Sequence, residues 1–536
     1  MKVVKIMNKR FLINLLITLI FGLVIYYFML PPINITSPLF WTFIVILLMF
    51  YFFLSCFSIF DKNIFLGKNK HLDLKISKSI YLVLIIGVLI FLVNIICSPM
   101  FNAKSYASRI KVVEQEDFAS NVEVVDFNKV PLLDKESSQK LGDRTMGAMT
   151  DLVSQFYVSN LYTQINYNDE ILRVTPLEYA SIIKYLTNRD EGVKGYITVN
   201  SVTGESKLVR LDEGMKYMPS GMFFENLHRK LRLDYPTKIF GDMNFEIDNE
   251  GNPYWIVETC TYTGVGLKKE ITGVIVLDPI TGSSTWYKVG EVPTWIDHVY
   301  DADLIIEQFD DYGEYKNGYF NSLFGQKGVV NTTEGYNYLA MNDDIYLYTG
   351  VTSVSSDESN LGFILTNLRT KETNFYSIPG AEEFSAMASA EGAVQEKKYQ
   401  ATFPLLINLN QRPTYLMSLK DNAGLVKMYA LVDVLDYQKV ITSDASLGIE
   451  EAARLYLNEN TITNNSNLVE EKITIKEITT AVIDGTTNYY ITDINDNKYT
   501  TSIKTNKNLL PFLKENDIID IKYYEDKLIR VITKIN

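Results

Sequence analysis

The sequence predicts an α+β protein with three N-terminal transmembrane helices, an ectodomain of repeated helix plus antiparallel-sheet units, and a small C-terminal β-barrel. Three observations predict this fold class: three long apolar segments near the N-terminus, a motif that recurs through the middle of the chain, and five short alternating segments near the C-terminus. With 536 residues, the chain is too long for a single core, so we expect two or more folded units.

Composition excludes several classes of protein. Hydrophobic residues make up 47% of the chain and charged residues 21%, which excludes an intrinsically disordered protein. The net charge of −13 disfavours a nucleic-acid-binding surface. Only three cysteines and three scattered histidines occur, so neither a disulfide scaffold nor a zinc site is expected. We expect no cofactor and no metal.

Residues 1–98 form the predicted membrane anchor, with spans at about 11–30, 39–60 and 79–97. Each span is an apolar stretch of roughly 20 residues, which as a helix crosses a hydrocarbon layer of about 30 Å. The first span could instead be a cleaved signal peptide, and the other two could be buried helices of a soluble protein. However, the Pro31-Pro32 region after the first span offers no small-residue cleavage site. The lipid bilayer is therefore the first expected partner.

The basic residues predict the orientation of the anchor. Four Lys/Arg residues precede the first span, and the loop between the second and third spans carries five lysines. Basic loops stay in the cytoplasm. We therefore expect a multi-pass cell-membrane protein with a cytoplasmic N-terminus and an extracellular C-terminal domain. Residues 1–98 have a net charge of +7, which leaves −20 for the rest of the chain.

A motif recurs in the predicted ectodomain. Copies begin at Gly195, Gly273 and Gly362, which are 78 and 89 residues apart. In each copy, Gly is followed by four strand-forming residues, then Asn or Asp at position +5 and Thr at position +8. A degenerate fourth copy could begin at Met428, with Asp433 at position +5. Whether this fourth copy folds like the others is left open.

The motif predicts a buried strand followed by a tight hairpin turn, because Asn and Asp bond their own backbone in turns. With one further strand before each later copy, three antiparallel strands per unit are expected. Asp278 and its equivalents are then turn formers rather than catalytic residues. Helices are predicted between the sheets at residues 219–232, 301–309, 381–395 and 446–457.

This combination resembles the PepSY domain, an extracytoplasmic unit in which a helix packs on an antiparallel sheet and an apolar strand ends in Asp-x-x-Thr-Gly. Residues 275–282 match that signature, whereas the third copy departs from it at Asn367 and Lys371. The whole pattern is similar to multi-spanning membrane proteins of Gram-positive bacteria that have no assigned activity. The resemblance implies a location in the cell envelope and sometimes regulation of extracellular peptidases, and it implies no catalytic residues.

The remaining boundaries follow from these assignments. Residues 99–150 are a juxtamembrane connector, 151–457 the PepSY-like repeat ectodomain, 458–470 a polar linker, and 471–536 a small OB-like β-barrel with five short strands. Acidic residues offset the lysines of this barrel, so we expect a module for packing or protein contact that binds no nucleic acid.

The chain contains no contiguous catalytic motif of the metalloprotease, P-loop or nucleophile-elbow type. His298 is expected to be a half-buried, hydrogen-bonded residue, although a place in a binding surface is the alternative. Aromatic residues suggest a cleft that stacks a sugar or a peptide, although alternation along strands would place half of them in the core. The candidate binding surface comprises Tyr254, Trp255, Trp286, Tyr287, Trp295 and His298.

The leading hypothesis is a non-enzymatic, membrane-anchored extracytoplasmic protein that binds or regulates another envelope protein, such as a peptidase or a wall-synthesis component. Exposed sheet edges are natural places for an extended peptide to add. The alternative is a cell-wall-directed hydrolase or peptidase with noncontiguous acidic residues. Transport through oligomerised spans is disfavoured, because the spans contain no Asp, Glu, Lys or Arg. The oligomeric state is not predicted.

Overall fold

The computed structural model describes residues 2–65, 78–115, 118, 122, 124–341, 343–353, 356–460, 468–483, 486–503, 505–524 and 530–535. It divides into two compact units, Met1–Ala453 and Arg454–Asn536. The first unit contains the anchor and four sheets, and the second contains five strands that close on themselves.

Three helices form the anchor: α1 (Lys2–Met29), α2 (Pro38–Phe65) and α3 (Lys78–Cys97). They contain the candidate membrane spans Phe11–Met29, Pro38–Ser55 and Ser79–Cys97, with mean hydropathies of 2.2 to 3.0. Three such helices near the N-terminus indicate a membrane protein, as predicted. Lys68, Lys70 and Lys75, on which the predicted orientation partly depends, lie outside the described residues.

The connector contains α4 (Pro99–Ala107), the strand β1 (Val112–Gln115) and α5 (Lys135–Gly147). Four sheets follow in chain order, and four of the five later helices lie between or within them. These helices are α6 (Ile182–Asn188), α7 (Leu227–Asp234), α8 (Ala302–Tyr315), α9 (Glu383–Ala393) and α10 (Ile449–Asn460).

The sheets are numbered I to IV. Sheet I contains β2 (Phe156–Val158), β3 (Thr163–Tyr167), β4 (Glu170–Tyr179), β5 (Val193–Asn200) and β6 (Ser206–Met215). Sheet II contains β7 (Ile239–Ile247), β8 (Pro253–Thr263), β9 (Lys268–Leu277) and β10 (Ser284–Lys288). Sheet III contains β1, β11 (Val330–Thr332), β12 (Asn337–Met341), β13 (Asp344–Ser353), β14 (Ser356–Asn367), β15 (Thr373–Tyr376) and β16 (Gly380–Ala381). Sheet IV contains β17 (Gln400–Ala401), β18 (Leu405–Leu409), β19 (Arg412–Lys420), β20 (Val426–Asp433) and β21 (Val440–Asp444).

Each sheet is built on an antiparallel meander of four strand positions, whereas the sequence predicted three. The position that was missed is the first one in each sheet. In sheet II this is β7, where Gly241 and Asp242 interrupt the apolar alternation and the pairing with β8 shifts register between Phe240 and Met243. A bulge of this kind removes the strict two-residue period by which strands are recognised in a sequence.

The repeated motif occupies the last hairpin of every sheet, including sheet IV. Asp278 accepts hydrogen bonds from the backbone N–H groups two and three residues later, at 2.8 and 3.3 Å. Asn200 and Asn367 make the same pair of bonds at 2.8 to 2.9 Å. So does Asp433, at 2.9 and 3.0 Å. The fourth copy therefore has the same turn as the other three, and these residues are turn formers, as predicted.

Glycine occupies the first position of the first three copies for a steric reason. A Cβ atom on Gly195 would approach the carbonyl oxygen of Val209 to 2.7 Å, which is closer than real Cβ contacts allow. A Cβ atom on Gly273 or Gly362 would collide in the same way with the carbonyl oxygen of the neighbouring last strand. Only glycine permits this close approach of backbones at the edge of the hairpin.

Three apolar cores and one bridging segment join the sheets. Sheets I and II share a core that includes Ile197 and Trp255; sheets II and III, and sheets III and IV, share the next two. Between sheets IV and I runs the segment before α5. There the Leu132 carbonyl oxygen accepts from the Ser418 hydroxyl of sheet IV at 2.8 Å, and the Leu133 N–H donates to Ser201 beside sheet I at 3.0 Å. Four meanders joined in a ring are the arrangement of a four-bladed β-propeller.

The predicted helix over residues 219–232 is shorter than expected. The structure has a 3-10 turn at Phe223–Glu225, and α7 begins only at Leu227. The reason is local, because Phe223 has a left-handed φ of 51° and the Asn226 side chain caps α7 by accepting from Arg229 N at 3.2 Å.

The four-sheet region contacts the ends of the anchor helices. The Arg232 Nε donates to the carbonyl oxygen of Leu30 at 3.0 Å, and the Ile33 N–H donates to Pro236 O at 2.8 Å. The turn between α1 and α2 and the C-terminal end of α3 lie on the same side of the spans, since two helices separate them. The sheets therefore contact the anchor at one end of its three helices.

The second unit contains β22 (Leu468–Ile483), β23 (Thr486–Asp493), β24 (Lys498–Ser502), β25 (Ile518–Tyr524) and β26 (Arg530–Ile535). These strands close in the order β22-β23-β24-β26-β25, with β24 and β26 parallel. Residues 461–467 of the predicted linker lie outside the described residues, and α10 occupies the chain up to Asn460.

Replacing Asp278 with Ala is expected to lower the free energy of unfolding by about 1 kcal/mol, because two backbone N–H groups lose their acceptor. The matched control is Asp278→Asn, since two other copies of the turn carry Asn. Thermal and denaturant unfolding of the full-length protein in detergent would measure the difference. Equal stability of the Ala and Asn variants would contradict the role of this side chain in the turn.

Asn94, near the end of α3, accepts from Val265 N at 2.8 Å and donates to Val265 O at 3.2 Å in the β8–β9 turn. We expect Asn94→Ala to increase proteolysis of this turn in the detergent-solubilised protein, because both backbone groups lose their partner. Asn94→Asp keeps only the acceptor and should give an intermediate rate. Identical cleavage rates for all three proteins would show that the contact does not hold the ectodomain on the anchor.

Candidate functional site

The four sheets meet around a cavity of about 800 Å³. Its lining comes from every sheet and from the segments between them. Sheet I contributes Thr163, Gln164 and Arg173; sheet II contributes Gly241, Asp242, Met243, Asn244 and Trp255; sheet III contributes Asn337 and Tyr338; and sheet IV contributes Leu405, Leu416, Met417 and Ser418. A cavity of this size, at a point where several structural elements converge, is the usual setting for a ligand site.

One wall of the cavity carries two buried polar side chains without a protein partner. Arg173 is 6% exposed, and Gln164 is 2% exposed. Within the described part of the chain, no carboxylate or other acceptor makes a hydrogen bond or an ion pair with the guanidinium group, and both amide atoms of Gln164 are unpartnered. The two residues face each other across β3 and β4 in the antiparallel register, so their side chains project from the same face of the sheet.

The charge of Arg173 is not compensated by its nearest ionised neighbours. Burial lowers the pKa of its guanidinium to about 10, against smaller opposing effects of Tyr338 and Asp134. The carboxylate of Asp134 already accepts from Lys420 Nζ at 2.7 Å and from Ser137 N at 3.0 Å. Lys135 also lines the cavity, and burial followed by the nearby charge of Arg173 lowers its pKa. This wall is therefore a cationic part of the cavity.

His298 supports the same wall without adding charge to it. Its Nε2 lies 2.7 Å from the backbone oxygen of Gln164, and its ring makes an edge contact with Tyr338 at 5.8 Å between centroids. Burial lowers the pKa of His298 to about 4, so its ring is neutral at physiological pH. A neutral ring in this position donates to β3 and helps to fix the strand that carries Gln164.

Another part of the cavity is acidic. One carboxylate oxygen from each of Asp242, Glu258 and Asp301 lies within 4.8 Å of the others, a spacing that could hold a metal ion. The ammonium group of Lys269, however, lies 2.5 Å from Asp301, 3.4 Å from Glu258 and 3.7 Å from Asp242. The lysine therefore supplies the cation that these oxygens require, and the residues present do not fit a metal site.

The same cluster contains a carboxyl group whose pKa is raised, which is a property of acid–base catalysts. Burial, followed by the charge of Asp301, raises the pKa of Glu258 to about 8, so this carboxyl group is largely protonated at neutral pH. A carboxyl group of raised pKa close to a second carboxyl group is a pattern found in hydrolases. Glu258 is fully buried and is not part of the cavity lining, so its carboxyl group does not face a substrate there.

The aromatic cleft predicted from the sequence is not present as one surface. Trp255 and His298 line the cavity, but Trp255 is fully buried and its Nε1 donates to Tyr217 O at 3.0 Å. Trp286 lies at the edge of the core between sheets I and II, where its Nε1 donates to Thr259 Oγ1 at 2.9 Å and Lys238 lies over its ring.

The other three aromatic residues pack on the opposite face of sheet II. Tyr254, Tyr287 and Trp295 pack against the core between sheets II and III, with the Tyr254 and Trp295 rings 5.1 Å apart. The physical reason is alternation, because neighbours such as Tyr254 and Trp255 point to opposite faces of a strand. Of these five aromatic residues, only Trp255 is fully buried, and the other four are half-buried against the two cores.

Arg173 and Gln164 were not recognised in the sequence. A weak signal was present, since Arg173 interrupts the apolar run of β4, whose residues from Ile171 to Tyr179 are all buried. A charged residue in such a run requires a partner or a cavity. Gln164, by contrast, becomes conspicuous only when the β3–β4 register places it opposite Arg173.

No known protein family matches the chain, and no curated protein matches it. Among solved structures, the chain is similar to a mutant of the Synechocystis apocarotenoid oxygenase, with 9% sequence identity and a TM-score of 0.14. The alignment covers 73% of this chain and 66% of the oxygenase chain, so this chain spans just under two thirds of the length of that protein. So low a TM-score carries no argument, and the function must be argued from the chain's own geometry.

The raised pKa of Glu258 predicts the direction in which the stability of the fold changes with pH. In the unfolded chain this group titrates near 4.5, and in the folded protein near 8, so its stabilising contribution is present below pH 4.5 and is lost as pH rises towards 8. Between pH 6.5 and 8 the loss is at most about 2 kcal/mol. His298 contributes in the opposite direction only below about pH 6.5, because its folded pKa is lowered.

We therefore expect the melting temperature of the full-length protein to fall less steeply between pH 6.5 and 8 in the Glu258→Gln variant than in the wild type. The exposed residue Glu213 provides the control substitution Glu213→Gln, which should leave the slope unchanged. Thermal unfolding in detergent at several pH values measures both slopes. Parallel curves for the wild type and Glu258→Gln would contradict the assignment.

Proposed function

We propose that this protein is a membrane-anchored, extracytoplasmic binding protein that holds a component of the cell envelope in the cavity at the centre of its four sheets. The observation that carries the proposal is the pair of buried, unpartnered side chains, Arg173 and Gln164, on the wall of this cavity. Buried polar groups without partners are costly to a fold, and a binding site is a common reason for retaining them.

Binding is favoured over catalysis by the state of the titratable groups. The carboxylates of Asp242 and Asp301 are neutralised by Lys269, and Glu258 is sealed behind them. His298 is engaged with the backbone of Gln164. A general acid or base must reach the reacting atoms of a substrate, and these arrangements do not favour that role. The hydrolase alternative therefore has less support than a binding function.

The location in the envelope is supported by the basic residues at the N-terminus and in the α2–α3 loop. The sheets contact the α1–α2 turn and the end of α3, and these contacts support a position on the opposite side of the membrane from those basic residues. The resemblance of the hairpins to PepSY sequences is consistent with this compartment, and with a partner that is an envelope protein such as a peptidase or a wall-synthesis component.

The C-terminal unit fits the role of a protein-contact module. Its strand order, with β24 parallel to β26, corresponds to the order of strands in an OB fold. Acidic and basic residues alternate on its strands: Lys522 pairs with Glu470, and Lys476 pairs with Asp496 at 2.5 Å. This mixed surface favours contact with a protein over contact with a nucleic acid.

The orientation is tested by labelling in sealed protoplasts with a membrane-impermeant maleimide, in a background in which the native cysteines are replaced by serine. Asp190 has a fully exposed side chain in the turn between α6 and β5, so Asp190→Cys should label in sealed protoplasts. Lys9→Cys, before the first span, should label only after permeabilisation. The reverse pattern would place the sheets in the cytoplasm and overturn the proposed location.

The binding function is tested by photo-cross-linking in intact cells. A benzophenone amino acid at Tyr336, which lines the cavity, should capture an envelope component that can be identified by mass spectrometry. The same amino acid at Tyr157, an exposed position outside the cavity lining, is the control. Identical products from the two positions would argue against the cavity as the binding site.

A further inference from the structure

Arg173 and Gln164 together form a donor face, which is the name used here for these two side chains. We propose that the donor face binds the carboxylate group of a small ligand. This inference rests on the proposed binding function and names the chemical group that the cavity recognises.

The geometry of the donor face suits a planar oxyanion. Because Arg173 and Gln164 are directly opposite across β3 and β4, their Cβ atoms are about 5 Å apart. A guanidinium group offers two parallel N–H donors that match the two oxygens of a carboxylate. The amide of Gln164 supplies a further N–H donor beside them. His298 holds the backbone of Gln164 in place at 2.7 Å, so the face is pre-organised.

Burial makes an anionic ligand favourable at this position. The Arg173 side chain is 6% exposed, and the described residues offer its guanidinium group no hydrogen-bond acceptor. An unpaired buried charge is costly, whereas an ion pair in the same place is strengthened by the low local dielectric. A carboxylate bound here would complete a pair that the protein itself leaves incomplete.

The rest of the cavity lining limits the charge of the ligand. Asp134, Asp242, Asp301 and Asp303 line the cavity, against Lys135 and Arg173. From outside the lining, Lys420 compensates Asp134, and Lys269 compensates Asp242 and Asp301. With its acidic and basic groups close to balance, such a lining favours a single negative charge directed at Arg173 over a polyanion such as a polyphosphate.

The size of the cavity allows two sources of the carboxylate. A cavity of about 800 Å³ accommodates either a small organic acid or the C-terminal end of a peptide. Both present the same planar group to the donor face. An experiment that compares acetate with a short peptide separates the two sources, and a peptide amide tests whether the carboxylate is required.

The test uses the full-length protein in detergent and measures binding by calorimetry and by the shift in melting temperature. The ligands are sodium acetate, N-acetyl-alanyl-alanine, its C-terminal amide, and inorganic phosphate. We expect one or both carboxylates to bind, and the amide and phosphate to bind at least about tenfold more weakly, because charge-assisted bonds are lost or repulsion is added. Binding of the peptide alone would identify a peptide end, and binding of both would identify a small carboxylate.

Two variants test the donor face itself. Arg173→Met keeps the length of the side chain, and Gln164→Glu keeps its shape but adds a negative charge. Each should weaken carboxylate binding about tenfold or more. The control Arg210→Met removes an arginine that pairs with Asp151 on the surface, at 3.0 Å, and should leave binding unchanged. Ligand-free Arg173→Met should be as stable as the wild type or more stable, since it removes an unpaired buried charge.

Three outcomes would overturn the inference: no binding of either carboxylate, stronger binding of phosphate than of both carboxylates, or wild-type carboxylate binding by Arg173→Met. A purely structural arginine would lower the stability of the ligand-free protein when replaced and would leave the preference for the acid over the amide unchanged. These results are independent of the cellular tests, because labelling and cross-linking report location and partner, whereas calorimetry reports only the chemistry of the cavity.

Discussion

The requirement that both faces of the two middle sheets be buried governs the architecture of the four-sheet region. In β8, Trp255 and Val257 face the core shared with sheet I, and Ile256 between them faces the core shared with sheet III. A sheet that is apolar on both faces must have another layer packed on each face. Neighbouring sheets provide these layers for sheets II and III, and the segment before α5 together with α5 covers sheets I and IV. The ring and its central cavity follow from this packing.

Polar groups are concentrated in the cavity, whose lining comes from all four sheets. The polar groups divide into two sets with different physical states. The acidic set around Asp242 and Asp301 is neutralised by Lys269 within the protein. The basic set around Arg173 is left without a protein counter-charge in the described structure. The acidic set is therefore a structural ion cluster, whereas the basic set is a surface suited to a ligand.

Contiguous patterns in the chain predicted a large part of the fold. The three anchor helices were recognised because length and hydropathy suffice for a span. The turns at Asn200, Asp278 and Asn367 were recognised because the side chain bonds the backbone two and three residues away. The first strand of each sheet was missed, and in sheet II a bulge in β7 removes the two-residue period by which a strand is recognised. The residues of the predicted aromatic surface are divided between two cores, because adjacent residues on a strand face opposite sides of the sheet.

By itself, the sequence determined which segments enter a membrane and where each hairpin turns, because both depend on interactions among residues that are near in the chain. The tertiary structure alone decided the ring of sheets, the neutralisation of Asp301 by Lys269, and the isolation of Arg173 beside Gln164. These features depend on strand register and on which faces pack together, and register is selected by burial across the whole ectodomain rather than by any local pattern.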